Sequence, residues 1–320
     1  MIVVTGAAGF IGSCLVSFLN NKEHYDLMLV DEESKRNHPN LQGKKYVKYI
    51  DRDQFISWLE QNKGEVKFIF HIGARTDTTE FRQEIFDKLN INYTKKLWDI
   101  CSDQDIPFIY ASSAATYGMG ESGYSDNHSR ILLYKPLNPY GWSKQLVDLW
   151  ILEQTKQPTR WAGFKFFNVF GPNEYHKGRM ASVVFHAYHQ IIQTGQMKLF
   201  RSNDPKIKDG EQRRDFIYVM DLLEVLYHFY EKHPENGIYN LGTGEANTFK
   251  KLVEAVFEAL SLPTNIEYIP MPEDLLHSYQ NYTCADMTKL RQNGYHRPMW
   301  DFGKAVQDYV QHYLSKTRYY

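Results

Sequence analysis

A glycine-rich turn near the start of the chain is the feature that most constrains its fold. The first apolar run is followed at once by Thr-Gly-Ala-Ala-Gly-Phe-Ile-Gly, residues 5–12, which open a helical pattern. Gly6, Gly9 and Gly12 permit a tight turn and a close approach of backbone to a pyrophosphate. Backbone N–H groups at the start of the helix then face the phosphates. The spacing is G-x-x-G-x-x-G rather than G-x-G-x-x-G, and a plain tight turn is the alternative interpretation.

Strand and helix patterns alternate through the first half of the chain. Runs typical of buried parallel strands are Ile2–Val4, Leu27–Val30, Phe68–His71, Phe108–Ala111 and Ala162–Phe166. Helices are predicted over Phe10–Leu19, Gln54–Gln61 and Phe81–Cys101, and from near Tyr140 to Gln154. This alternation predicts an α/β fold with a Rossmann-type doubly wound parallel sheet.

The pattern changes after Asn168, where turns and charged loops separate shorter elements. Helices are predicted near Ala181–Gln193, Asp221–Glu231, Phe249–Leu260 and Phe302–Leu314, and short strands at Phe216–Val219, Gly237–Leu241 and Ile266–Ile269. We therefore predict two parts. Residues 1–168 plus about 213–241 form a cofactor-binding Rossmann-type domain, and about 169–212 plus 242–320 form a smaller interleaved α/β substrate domain.

The composition excludes several classes of protein. Among 320 residues, 42% are hydrophobic and 15% aromatic, which is enough apolar material for a core. The net charge of −1 lacks the basic excess of a nucleic-acid binder. The sequence contains no run of about 18 apolar residues, so it predicts no membrane-spanning helix. The three cysteines are far apart, so neither a structural metal site nor a disulfide framework is expected. A cytoplasmic location is the expectation that follows.

Charged residues after the second strand bear on the choice of dinucleotide. Asp31 ends that strand about 20 residues beyond the glycine loop, where an acid binds the adenosine ribose hydroxyls. Alone, this acid favours NAD. Lys35, Arg36 and Arg52 are near enough in sequence to bind a 2′-phosphate, whereas Glu32 argues against one.

The segment Tyr140-Gly141-Trp142-Ser143-Lys144 carries the strongest chemical pattern. Residues i and i+4 lie on one face of a helix, so Tyr140 and Lys144 are expected to be neighbours. A nearby ammonium, together with an oxidised nicotinamide ring, lowers the pKa of a phenol from about 10 and makes it a general base. Ser113 follows a strand, where a hydroxyl can hydrogen-bond a reacting oxygen.

A glycine loop, a serine at a strand end and Y-x-x-x-K, in this order, resemble the extended short-chain dehydrogenase/reductase superfamily. The spacings agree across the first half of the chain. The resemblance implies a Rossmann-type domain, a tightly held nicotinamide cofactor and nucleotide-sugar substrates. It also implies that Ser113, Tyr140 and Lys144 are the catalytic triad, with Lys144 also holding the nicotinamide ribose.

Further segments narrow the resemblance. They are Phe-Phe-Asn-Val-Phe-Gly-Pro (166–172), His-Lys-Gly-Arg-Met-Ala-Ser-Val (176–183), Arg-Asp-Phe-Ile-Tyr-Val (214–219) and Tyr-Asn-Leu-Gly-Thr-Gly (239–244). Nearly the whole chain is similar to the ADP-L-glycero-D-manno-heptose 6-epimerase family, and the H-K-G-x-M-A-S run is its most specific segment. This resemblance implies an isomerase that inverts C6 of ADP-heptose for the lipopolysaccharide inner core. It further implies NADP as cofactor and a homo-oligomer, a pentamer.

The resemblance implies roles residue by residue. Tyr140 and Lys177 are the two expected acid/base groups. The residues expected around the ADP-sugar are Asn168, Arg179, His186, Phe200, Arg201, Ser202, Asn203, Arg214 and Tyr279. The residues expected at the cofactor are Gly6, Gly9, Phe10, Ile11, Gly12, Asp31, Glu32, Arg52, Ile72, Gly73, Ala74, Arg75, Thr76, Asn90, Lys144 and Val169. For His186, packing in the core is the alternative interpretation.

Inversion at an exocyclic carbon requires acid/base groups on two sides of that carbon, which agrees with the expectation of two such residues. Oxidation at C6 gives a 6-keto intermediate, which presents its other face before the same hydride returns. One group removes the hydroxyl proton and the other supplies it, and the sequence leaves open whether Tyr140 or Lys177 serves a given epimer.

The chain departs from the family pattern at three positions. Arg75 and Arg179 stand where family members carry a small residue, and Glu32 replaces an amide. Arg52 falls where the family has a cofactor-binding lysine, so NADP remains the expectation and NAD stays possible.

Three alternatives follow from the same motifs. A 4,6-dehydratase needs an acid beside its serine or threonine, where this chain has Ala114 and Ala115. A hexose 4-epimerase is the nearer rival, although it would not need Lys177. A non-catalytic NADP-binding module would keep the glycine loop but would be expected to lose Tyr140 or Lys144.

Overall fold

A seven-stranded parallel sheet forms the larger part of the computed structural model, which describes residues 1–62, 64–276 and 279–320. Its strands are β1 (Ile2–Thr5), β2 (Leu27–Asp31), β3 (Lys48–Asp51), β4 (Phe68–His71), β5 (Phe108–Ser113), β6 (Trp161–Phe166) and β10 (Gly237–Leu241). The spatial order is β10-β6-β5-β4-β1-β2-β3, with every pair parallel. This order confirms the predicted doubly wound α/β fold.

Helices alternate with these strands and cover the sheet. The helices in chain order are α1 (Phe10–Asn21), α2 (Arg52–Gln61), α3 (Gln83–Phe86), α4 (Tyr93–Gln104), α5 (Pro139–Glu153), α6 (Val183–Thr194), α7 (Val219–Lys232), α8 (Phe249–Ala259), α9 (Glu273–Leu276), α10 (Thr288–Gln292) and α11 (Phe302–Asp308). Six of the seven strands, all except β3, are buried throughout and rich in apolar residues. Strands covered on both faces have this continuous apolar composition.

Two small sheets lie beside the large one. Strands β7 (Asn168–Phe170), β9 (Arg213–Tyr218) and β11 (Ala246–Thr248) form the first, and β8 (Met197–Phe200) pairs in parallel with β12 (Ile266–Ile269) in the second. Three of these short strands, β7, β8 and β11, were not predicted, and neither was β3. Each has only three or four residues, which is too short for a period-two pattern to stand out.

One predicted helix, Phe81–Cys101, is interrupted in the structure. A π-helical segment, Asp87–Asn92, separates α3 from α4. Such segments add a residue to a turn and often occur at functional sites. Here the segment carries Asn90, which is buried.

Within residues 1–62, 64–276 and 279–320, no helix is long and apolar enough to cross a bilayer.

Candidate active site

The glycine loop and the segment after β4 touch each other backbone to backbone. Gly6 has φ +67°, and a Cβ there would lie 2.5 Å from the Cα of Gly73. A Cβ on Gly73 would in turn lie 2.9 Å from the Gly6 nitrogen. Only glycine allows this approach, which leaves the turn open for the phosphates of a dinucleotide. The loop therefore fits the cofactor predicted from its sequence.

Asn90 joins this cofactor segment to the helix that carries the catalytic motif. Its Oδ1 accepts from the Arg75 N–H at 2.8 Å, and its Nδ2 donates to the Arg75 carbonyl and to the Ser143 Oγ, each at 2.9 Å. Ile72, Gly73 and Ala74 are half-buried along this segment, whereas Arg75 and Thr76 are exposed. The side chain of Asn90 thus holds the segment through its backbone.

A buried hydrogen-bonded chain lies beneath the two loops. The Thr5 hydroxyl accepts from the Gly73 N–H at 3.1 Å and meets Nδ1 of His71 at 2.7 Å, while Nε2 of His71 lies 2.9 Å from the Thr94 hydroxyl. Because the Thr94 hydroxyl donates to the Asn90 carbonyl at 2.6 Å, it accepts from Nε2–H. His71 is therefore held as the neutral Nε2–H tautomer, and burial lowers its pKa to about 3.

Asp31 anchors the glycine loop, and basic side chains gather around it. One oxygen of Asp31 accepts from the Ala8 N–H at 3.0 Å, and the other lies 3.4 Å from the Lys35 ammonium. Arg52 lies 2.8 Å from Glu32, and its Nε is buried without a hydrogen-bond partner among the described residues. Arg36, expected near this site, pairs with the exposed Glu33 instead.

Helix α5 places Tyr140 in its first turn. The Asn138 side chain caps the helix by accepting from the Gly141 N–H at 2.8 Å, and Pro139 occupies the first position. Tyr140 then faces Ser113 at the end of β5. Burial raises the pKa of the Tyr140 phenol, and a hydrogen bond with the Ser113 hydroxyl opposes that rise.

Lys144 lies one turn further along α5 and is buried. Its Nζ donates to the Ala111 carbonyl at 2.8 Å, so its closest partner is β5 rather than the Tyr140 phenol. Burial lowers the pKa of Lys144 to about 8, and the nearby Asp148 carboxylate opposes this shift. The expected lowering of the Tyr140 pKa by Lys144 together with an oxidised nicotinamide stays a prediction; among the protein groups alone, desolvation dominates at the phenol.

A charged cluster fills the space between β5, β6 and α5. Asp148 accepts from the Tyr110 hydroxyl at 2.9 Å, the Ser112 hydroxyl at 2.7 Å and the Lys165 ammonium at 2.6 Å. Lys165 also donates to the Thr116 hydroxyl at 2.8 Å. The cluster fixes the strand end that presents Ser113, so it supports the catalytic motif from behind.

Lys177 lies on a short helical turn, Tyr175–Met180, after β7. Its ammonium is 5.1 Å from the centre of the Phe10 ring, at the start of the helix that the glycine loop opens. Burial lowers the pKa of Lys177, and the Glu174 carboxylate opposes the shift. The residue predicted as the second acid/base group therefore lies beside the predicted cofactor loop.

Arg179 and Arg75 meet at one carboxylate. The Arg75 guanidinium is 3.2 Å from Asp77, and the Arg179 guanidinium is 3.6 Å from it and hydrogen-bonds the Thr79 hydroxyl. Both arginines are exposed. The two departures from the family pattern thus link the segment after β4 to the turn that carries Lys177.

Arg214 is the buried cation on the predicted substrate side. Its guanidinium lies 5.3 Å from the ring of Tyr279 and 5.5 Å from that of Phe249. No carboxylate of the described residues lies within 4 Å of it, and burial lowers its pKa. Phe200 packs edge-on against Tyr279 at 6.4 Å. A buried guanidinium between aromatic rings, without an acidic partner, suits a phosphate group.

The remaining predicted residues are less tightly held. Asn203 donates to the Leu276 carbonyl at 2.9 Å, and His186 is exposed beside Phe185, so its packing in the core is excluded. Asn168 and Arg201 are exposed, and Ile11, Ser202 and Val169 are half-buried. The structure therefore groups the motif residues firmly and leaves the His186 and Asn203 contacts as predictions.

Several polar residues that hold the site together were not predicted. Asn40 donates to the Ala8 carbonyl and to the Asn173 carbonyl, each at 3.0 Å, and so joins the glycine loop to the chain before Lys177. Lys165 carried a usable signal, since a lysine within the apolar run of β6 must be paired when that strand is buried. Asn40 lies in the short 3-10 helix Pro39–Leu41 and Asn173 lies in a turn, and neither carried such a signal.

Comparison with known proteins assigns the class of protein. The sequence profile of the NAD dependent epimerase/dehydratase family matches residues 2–242, and the chain therefore belongs to that family. The full chain is 45% identical to the full length of a Fusobacterium nucleatum subsp. nucleatum protein named ADP-L-glycero-D-manno-heptose-6-epimerase. A Nitratidesulfovibrio vulgaris protein of the same name is 44% identical, over 98% of both chains. The resemblance predicted from the motifs is thereby confirmed.

A solved structure agrees with these relatives. The crystal structure of the Helicobacter pylori ADP-L-glycero-D-manno-heptose-6-epimerase superposes with a TM-score of 0.81. It is 27% identical, and the match covers 97% of this chain and 95% of the other. The fold described above is thus the fold of that enzyme.

Proposed function

We propose that this chain is a nucleotide-sugar epimerase that interconverts the C6 epimers of ADP-glycero-D-manno-heptose, for lipopolysaccharide inner-core synthesis. The observation that carries the proposal is the position of Lys177 beside Phe10, at the start of the helix opened by the glycine loop. Tyr140, paired with Ser113, supplies the other proton-transfer group. The relatives named for this activity support the substrate assignment.

The chain's own residues account for proton transfer and binding. Gly6, Asp31, Gly73 and Lys144 would hold a nicotinamide dinucleotide, which would supply reversible hydride transfer at C6. The Ser113 hydroxyl is placed to hydrogen-bond the C6 oxygen, and Tyr140 and Lys177 each hold or release a proton at that oxygen. Arg214 and Tyr279 bind the diphosphate, with Arg214 as the buried cation. Asn90 and Asp31 keep the cofactor loops in place.

NADP is the cofactor that we propose. Arg52 and Lys35 lie at the edge of the Asp31 site, and the buried Nε of Arg52 is available to an anion. Glu32 competes for both cations, at 2.8 Å from Arg52 and 3.7 Å from Lys35. NAD is therefore the alternative, and release of the bound cofactor by denaturation followed by chromatography distinguishes them.

The direct test incubates the purified protein with ADP-D-glycero-D-manno-heptose and follows the epimer ratio by NMR. We expect conversion to a mixture dominated by the L-glycero epimer. Tyr140→Phe abolishes conversion and Lys177→Met strongly reduces it, while both variants keep the cofactor. No conversion by a folded, cofactor-loaded protein contradicts the heptose assignment.

A hexose 4-epimerase is the alternative within the same family. The two activities differ in their need for Lys177, because inversion at a ring carbon requires no second base in our scheme. UDP-hexose 4-epimerisation that survives Lys177→Met would favour the alternative. A folded protein that holds cofactor but converts neither substrate would favour a non-catalytic binding module.

Three further expectations stay proposals. The chain divides into a Rossmann-type part (1–168 and about 213–241) and a substrate part (about 169–212 and 242–320). Of the strands in the range 213–241, β10 lies in the large sheet, whereas β9 lies in a small one.

A homo-oligomer, a pentamer by resemblance, agrees with the exposed apolar residues Trp142 and Leu146 on α5. Light scattering of the purified protein measures the oligomer, and cell fractionation tests the proposed cytoplasmic location.

A further inference from the structure

Glu174 is a fully buried acid that sequence analysis did not single out. Its Oε2 accepts from the Ser182 N–H at 2.6 Å, and its Oε1 accepts from the Ser182 hydroxyl at 2.6 Å and the Tyr309 hydroxyl at 3.0 Å. All three partners are donors, which is the environment of an ionised carboxylate. Burial raises the pKa of Glu174, and these hydrogen bonds and the Lys177 charge oppose the rise.

The same residue closes the turn that carries Lys177. The Glu174 carbonyl accepts from the Lys177 N–H at 3.0 Å, while its side chain binds Ser182 at the other end of the turn. Within the turn, Gly178 has φ +53° and is exposed. Tyr175 and Arg179 add side-chain contacts from the turn to the Tyr313 carbonyl and to Asp77. Glu174 is the residue that contacts both ends of the turn.

Lys177 and Glu174 are also coupled by charge. No carboxylate in the described part of the chain lies within 4 Å of the Lys177 ammonium, so Glu174 acts from beyond direct contact. Glu174 is buried and Lys177 is half-buried, so the attraction between their charges is stronger than at a fully exposed surface. Each group stabilises the charged form of the other.

Five further titratable groups near the pair are neutral near pH 7, whereas the exposed guanidinium of Arg179 lies two residues from Lys177 and pairs with Asp77, and Lys35 and Asp31 act by charge on His176. Burial raises the pKa values of the thiol and phenol groups and lowers that of the imidazole of His176 to about 4. His38, whose ring contacts His176 at 4.9 Å, also has a pKa lowered by burial. These groups are Cys14, Tyr175, His176, Tyr309 and His38.

We propose that Glu174 is a positioning residue that fixes the Lys177 turn and keeps Lys177 protonated until the reaction requires the amine. The proposal rests on the role assigned to Lys177 under the proposed function. It adds that one buried carboxylate three residues away opposes the effect of burial and moves to higher pH the range over which this lysine changes from acid to base.

The test measures the titration of Lys177 without using the substrate. Lysine amines of the full-length protein react with acetic anhydride at a series of pH values, and peptide mass spectrometry gives the midpoint for each lysine. In Glu174→Gln the Lys177 midpoint falls by about one pH unit, as loss of a nearby opposite charge predicts. Lys144 in the same sample serves as the internal reference, and its midpoint stays in place.

Two variants separate the charge from the hydrogen bonds. Tyr309→Phe removes one hydrogen bond and Ser182→Ala removes another, while both keep the Glu174 charge, so the Lys177 midpoint stays near that of the unmodified chain. If Glu174→Gln does not fold, Glu174→Asp, which moves the charge back by one methylene, gives a smaller shift of the same sign. An unchanged Lys177 midpoint in a folded Glu174 variant overturns the proposal.

The activity assay gives a second and independent result. If the chain epimerises ADP-heptose, the pH limb that is lost in Lys177→Met moves to lower pH in Glu174→Gln by the same amount as the labelling midpoint. If the unmodified chain does not epimerise this substrate, the proposed function fails, yet the labelling shift still decides the coupling of Glu174 to Lys177.

Discussion

The Lys165 ammonium and the Asp148 carboxylate form an ion pair at 2.6 Å, with both side chains fully buried. Removal of one partner leaves the other charge in the core, so Asp148→Ala is expected to lower the free energy of unfolding by about 3–5 kcal/mol. Urea denaturation measures the loss. Glu267→Ala, which breaks the exposed pair with Lys198, is the control and costs less than about 1 kcal/mol. Equal losses in both variants would contradict the importance of burial.

Gly6→Ala is expected to impair cofactor binding. The new Cβ meets the backbone of Gly73 in a left-handed conformation, so the turn must shift away from the phosphate position. The ratio of bound nicotinamide to protein after purification measures the effect and falls at least about tenfold. Gly43→Ala is the control, because its φ of +75° gives similar backbone strain with open space around the new atom. Retention of cofactor by Gly6→Ala would argue against the close approach.

Arg214→Gln is expected to weaken substrate binding. Hydrogen bonds from a charged group are worth about 1.5–3 kcal/mol, which corresponds to a roughly 10- to 100-fold increase in KM. The maximal rate changes less, since the diphosphate lies away from the reacting carbon. The neighbouring Arg213 is exposed, and Arg213→Gln leaves KM unchanged. An increase in KM in both variants would indicate a general charge effect instead.

Glu32→Gln is expected to raise the preference for NADP over NAD. The substitution releases Arg52 from its 2.8 Å ion pair and removes a negative charge beside the 2′ position. Isothermal titration with the two cofactors gives the ratio of dissociation constants, which shifts by about tenfold. Glu33→Gln is the matched control, because Glu33 pairs with Arg36. A ratio that does not change would exclude Arg52 as a ligand of the 2′-phosphate.

His71 makes the fold sensitive to acid. Burial lowers its pKa to about 3 from the ordinary value of about 6.5, so the unfolded chain binds a proton that the folded chain does not. The stabilising contribution is complete above pH 6.5 and declines as the pH falls toward 3, by about 1.4 kcal/mol per pH unit. Urea denaturation between pH 7 and pH 4 measures the slope. The slope becomes shallower in His71→Gln and stays the same in His296→Gln, since His296 is exposed.

The large sheet and the motif residues could be predicted from the sequence. The apolar runs of β1, β2, β4 and β5 have few possible interpretations, because strands covered on both faces exclude polar residues. The glycine loop and the Tyr140–Lys144 spacing depend on local geometry, which the sequence determines directly. Helix α5, for example, begins at Pro139 after an asparagine cap.

The polar supports of the site were not predicted, for physical reasons that differ. Asn40 and Asn173 meet across 133 residues of chain, and no local pattern indicates such a contact. Asn90 was predicted at the cofactor, but the π-helical segment that carries it was not, because its extra residue does not fit a 3.6-residue period. The protonation states of Tyr140 and Lys177 depend on desolvation, which exists only in the folded chain.

The strand order of the large sheet determines when the site comes into existence during folding. Strand β1 lies between β2 and β4, and β10 completes the sheet by pairing with β6, some 75 residues earlier in the chain. Parallel pairing of distant segments is slow, because loop entropy is lost before the contacts form. The first half supplies Ser113 and Tyr140 and the second half supplies Lys177, so the three residues come together only when segments from both halves have docked. A refolding chain regains helical content well before it regains turnover.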